Sequence, residues 1–94
     1  MEKLKHKLSK PTSQISEVLY YLLTRKLICR RSIMFDAYIL NVPARLSELR
    51  NHYNVDIDII ETKRTNKFGR RVAYANWFLT DTVHALETYK KLIK

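Results

Sequence analysis

The hydrophobic period of this chain changes near Val55, from helical to strand-like, and that change decides its fold class. Before it, apolar residues recur at spacings of three and four, as one face of a helix requires. Ile15, Val18, Leu19, Leu22 and Leu23 carry the first such stripe. With Thr12 or Ser13 available as N-cap, they predict a helix over 14–26. Leu27, Ile28 and Cys29 form a short apolar run between basic pairs, too short for a helix, and read as a brief strand or extended link. Ile33, Met34, Ala37 and Tyr38 predict a second, short helix within 30–40, with Ser32 in its first turn. Pro43 fits the first turn of a helix but not an interior, and it biases Val42 toward an extended backbone. A third helix is therefore expected to open at Asn41 or Pro43 and run to about Asn51. Leu46 and Leu49 would face inward, leaving Ala44, Arg45, Ser47, Glu48 and Asn51 outside.

After Val55 the period is two: Ile57 and Ile59 point one way, Asp56 and Asp58 the other. The only glycine, Gly69, ends the stretch Thr65-Asn66-Lys67-Phe68-Gly69, where a hairpin loop needs a residue of positive φ. Val72, Tyr74, Trp77, Phe78 and Leu79 are β-prone, so 55–79 reads as one antiparallel hairpin. Thr80 or Asp81 then caps a last helix in which Val83, Leu86, Tyr89 and Ile93 recur at three and four. The fold class is α+β. With 94 residues there is room for a single core.

Charge placement narrows the function. The net charge is +9, from 18 basic against 9 acidic residues. Lys3, Lys5, Lys7 and Lys10 lie in residues 1–11, which read as a mobile basic arm. Arg25, Lys26, Arg30 and Arg31 flank the apolar triplet. Lys63, Arg64, Lys67, Arg70 and Arg71 fall within one acid-free stretch. Clusters of this kind suit a polyanion, nucleic acid ahead of an anionic membrane surface, because phosphates release counterions on binding. The plain alternative is a solubilising surface. Neither a membrane-spanning stretch nor a signal peptide is evident, and a cytoplasmic location is expected. One cysteine and three scattered histidines indicate neither a disulfide framework nor a metal site. Paired carboxylates, a Gly-rich phosphate loop and a nucleophile beside a base are all missing, so no enzymatic activity and no cofactor are expected.

The order helix, short strand, helix, turn, helix, two-stranded ribbon resembles the winged helix-turn-helix superfamily. More narrowly, it is similar to the small winged-helix proteins of bacterial phages and mobile elements. Arg45-Leu46-Ser47-Glu48-Leu49-Arg50, followed after a short turn by the first wing strand from Val55 to Thr62, carries that likeness. The resemblance covers about 12–79. It implies a three-helix bundle with a β-hairpin wing; the arm at 1–11 and the additional C-terminal helix at 80–94 lie outside it. It also implies a sequence-specific binder of double-stranded DNA, a transcriptional or mobile-element regulator. The third helix would enter the major groove while the wing holds the flanking backbone.

On that reading Asn41, Ala44, Arg45, Glu48 and Asn51 present the recognition helix, with Arg45 suited to guanine and Asn41 to adenine. Lys63, Arg64, Lys67, Phe68, Arg70 and Arg71 form the wing contacts, and Arg30, Arg31 and Arg50 touch backbone elsewhere. Each has a plainer reading: Arg45 and Asn41 as surface or turn residues, Arg50 as a partner of Glu48, and Phe68 as a hairpin staple packing on Tyr74. One departure from the family pattern concerns the turn between helices two and three. It reads Tyr38-Ile39-Leu40-Asn41, without the glycine often found there, so either Asn41 takes the strained position or the turn has another shape. The stripe of the last helix either joins two copies in a homodimer or covers the protein's own core. Two further functions compete, a protein-interaction module on the same scaffold and an RNA binder.

Overall fold

The computed structural model describes residues 8–25 and 27–93. Most of the expected basic arm, including Lys3, Lys5 and Lys7, and also Lys26, lie outside the described residues. Among the described residues the chain is α+β, with four helices and a three-stranded antiparallel sheet. Helix α1 spans Gln14–Thr24, strand β1 Ile28–Cys29, α2 Arg30–Ala37 and α3 Val42–Asn51. Strands β2 (Ile57–Thr65) and β3 (Arg71–Leu79) and helix α4 (Thr82–Leu92) follow.

Local chemistry sets these limits. The Ser13 hydroxyl accepts from the Ser16 amide at 3.3 Å, while the Ser16 hydroxyl accepts from the Ser13 amide at 2.8 Å. Two orphan donors at the start of α1 are satisfied reciprocally. The helix ends at Thr24, earlier than its apolar spacing predicts, because Arg25 turns extended at φ −120°. Its guanidinium lies 4.4 Å from the Tyr21 ring centroid and pairs with Asp36 at 2.6 Å, tying α1 to α2. Helix α2 is also shorter than expected. It stops at Ala37 because Tyr38 enters the left-handed region, at φ 56° and ψ 33°. Thus Tyr38, not Asn41, takes the strained turn position, and Asn41 is the N-cap of α3.

The sheet order is β1-β3-β2, so β3 lies in the middle at the base. Ile28 pairs with Trp77, and β2 runs against β3 without a bulge from Ile57↔Leu79 to Thr65↔Arg71. Val18, Leu19 and Leu23 of α1, Ile33 of α2, and Val42 and Leu49 of α3 meet Ile28 and Ile57 in one buried cluster. Each such side chain is worth about 1.5–3 kcal/mol when fully buried.

Helix α4 belongs to that cluster. Ala85 and Tyr89 are fully buried in it, and Leu86, Leu92 and Ile93 pack against it. The apolar stripe of the last helix is therefore used inside the protein, and of its four residues only Val83 stays exposed, at 69%. The described end of the N-terminal segment is held as well. Leu8 packs on the core, and the Tyr89 hydroxyl donates to the Ser9 carbonyl.

Candidate nucleic-acid interface

Beyond the core the hairpin projects as a ribbon, and Asn66 shapes its tip. The Asn66 side-chain oxygen accepts from the Phe68 amide at 2.9 Å and the Arg70 amide at 3.0 Å. The Asn66 amide donates to the Arg70 carbonyl at 2.8 Å, and Gly69, at φ +87°, donates to the Asn66 carbonyl. A short side chain that bonds the backbone ahead of it and a glycine in the left-handed region together close a tight loop. Directly paired residues share a face of the sheet. Lys63 and Arg71 accordingly lie on the face that carries Ile57 and Trp77, Arg64 lies on the other with Val72, and Lys67 and Arg70 occupy the loop.

All five cations are exposed, and among the described residues the ion pairs are Arg25–Asp36 and Arg45–Glu48 alone. Among the described residues none of the hairpin cations is paired with a carboxylate. Phe68 is 84% exposed, with the Lys67 ammonium 5.3 Å from its ring centroid. Its packing as a staple on Tyr74 is not what the chain adopts.

The outer side of α3 is a shallow shelf formed by Ala44, Arg45, Ser47, Glu48, Asn51 and His52. The sequence reading had left out His52, although it follows Glu48 by one helical turn. Asn41 is exposed, but its side-chain oxygen accepts from the Ala44 amide at 3.3 Å, so the carboxamide is partly engaged as a cap. Arg45 is half-buried, its Nη2 lies 2.9 Å from Glu48 Oε1, and its Nε is buried without a partner. Arg45, rather than Arg50, is therefore the partner of Glu48. Asn51 donates to the Ser47 hydroxyl at 3.0 Å, and Arg50 stays exposed beside Asp56 and Asp58.

Arg30 and Arg31 open α2, both exposed, with no acid in that first turn. They stand across a cleft from Arg64, so the start of α2, the start of α3 at Pro43 and the upper hairpin converge on one basic side. No family model, curated protein or solved structure matches the chain. Among the described residues no helix is long and apolar enough to cross a membrane, and no cluster of His, Cys, Asp and Glu could hold a metal ion. This side of the molecule presents exposed guanidinium and ammonium groups, amide side chains and the protruding Phe68 ring. It can neutralise and hydrogen-bond phosphate oxygens.

Proposed function

We propose that this chain binds double-stranded DNA as a winged helix-turn-helix module and regulates a promoter or a mobile element. The observation that carries this reading is the hairpin tip: five exposed cations, no acid among them and no ion pair among the described residues. Like charges gathered on one ribbon repel one another unless a polyanion is present. The strand order β1-β3-β2 behind three helices supports the winged arrangement. In this reading α3 enters the major groove, which is wide enough for a helix, and the hairpin grips the flanking backbone or minor groove. Arg30, Arg31 and Arg50 add phosphate contacts, and Ala44, Arg45, Glu48 and Asn51 face the base edges. Phe68 inserts against a sugar or a base step.

Duplex binding measured against salt tests it. With the hairpin cations alone, about five, each displacing a counterion, log K falls with log salt at a slope of at least roughly 4 to 5. Binding should also favour duplex DNA over duplex RNA, whose deep, narrow groove excludes a helix. A salt-insensitive or absent interaction with duplex DNA overturns the proposal.

A further inference from the structure

Strand β1 covers Trp77 and Asn76 of β3, and among the described residues the edge of β3 above it is unpaired. The Asn66–Arg70 bond at the tip and the Thr80–Asp56 bond at the base make the even-numbered residues the hydrogen-bonded pairs of the hairpin. Arg71, Ala73 and Ala75 therefore turn their N–H and C=O groups to that open edge. It borders a cleft of about 910 Å3, within the size range of small-molecule sites. Val72 and Tyr74 line it from one face of β3 and Trp77 from the other, around the open edge, together with Met34 and Pro43.

Arg30, Arg31 and Arg64 line the same cleft, with no acid among its lining residues. Arg30 and Arg31 also occupy the first positions of a helix, where the peptide dipoles add partial positive charge. A duplex backbone would satisfy these arginines but not the apolar lining, since its accessible surface there is sugar and phosphate. A small molecule with a hydrocarbon body and one negative charge satisfies both.

We infer that the cleft is a binding site for a small apolar anion, an aromatic or acyl carboxylate. Its body lies across the open edge of β3, against Tyr74, Trp77 and Met34, and its carboxylate meets Arg30, Arg31 and Arg64. Bound there, it occupies three of the cations that the DNA reading assigns to phosphates, so it lowers DNA affinity. This second step rests on that reading, whereas the site itself does not.

Trp77 is the only tryptophan, so its emission reports the cleft directly in the absence of DNA. Decanoate and 1-naphthoate serve as probes, the latter followed by calorimetry, with decanol and 1-naphthalenemethanol as uncharged counterparts. Decanoate should shift Trp77 emission saturably with Kd below about 1 mM, and decanol should bind at least about tenfold more weakly. Arg30→Gln, Arg31→Gln or Arg64→Gln should each weaken decanoate several-fold, and the triple variant by about tenfold or more. Lys90→Gln, exposed on α4, should leave decanoate binding unchanged. The arginines are all exposed, so these variants keep the fold, and circular dichroism checks that. No saturable shift, equal binding of decanol, or indifference to the triple variant overturns the site. If the site stands but saturating decanoate leaves duplex affinity unchanged, the regulatory step fails alone.

Discussion

Tyr38 holds a left-handed backbone that costs a bulky L-residue about 1–2 kcal/mol, and its side chain is 83% exposed. Little packing offsets that cost. Tyr38→Gly should therefore stabilise the chain by about 1 kcal/mol, read as a higher urea midpoint at unchanged m-value. A destabilised variant would mean that the ring makes contacts worth more than the strain. Arg45 poses the opposite case, a functional candidate whose guanidinium is engaged by Glu48 in its own helix. Glu48→Ala removes an acid from the α3 shelf and frees that guanidinium. Affinity for duplex DNA should rise several-fold, since a half-buried ion pair within one helix turn contributes only about 0.3–0.5 kcal/mol to the fold. Unchanged or weaker binding would leave Glu48 as a base-edge contact in its own right, or Arg45 outside the interface.

Among the elements, the hairpin and α3 differ in what they can do. Hairpin cations reach outward on exposed side chains of a projecting ribbon, whereas the α3 shelf is anchored by Leu46 and Leu49 in the core. Arg70→Ala and Arg71→Ala should weaken all DNA sequences about equally and lower the salt slope by about one each. Arg45→Ala should instead cost roughly 1 to 3 kcal/mol on a preferred site and much less on random DNA. Parallel titrations on selected and random duplexes at several salt concentrations separate the two. The reverse pattern would make the hairpin the reader and α3 the clamp. The hairpin itself was legible because alternation and a lone glycine are local signals. The end of α2 was not, because a tyrosine in the glycine-like position carries no such signal.

For the whole molecule, the deciding contact is α4 on α1. Tyr89 is fully buried beside Tyr20, their ring centroids 6.1 Å apart, and its hydroxyl bonds the Ser9 carbonyl. Burial raises the Tyr89 phenol above its ordinary value, and burial likewise raises Tyr21, partly countered by Arg25. A raised folded-state value keeps each proton bound longer in the folded chain. The corresponding stability is whole below the unfolded value near pH 10 and is lost as pH rises through the folded values. Urea midpoints should therefore fall above about pH 10, and less so in Tyr89→Phe; an equal fall in both would assign the loss to other groups. The helices, the hairpin and the basic clusters were legible in the chain alone, because spacing, capping residues and charge runs act between near neighbours. Not legible there were the face by which the last helix meets the core, which partner Glu48 takes, and that Arg30, Arg31 and Arg64 meet around one cleft. These emerge in the folded chain. Each depends on bringing together residues far apart in the chain or on choosing among competing partners, and the packing of the buried cluster makes that choice.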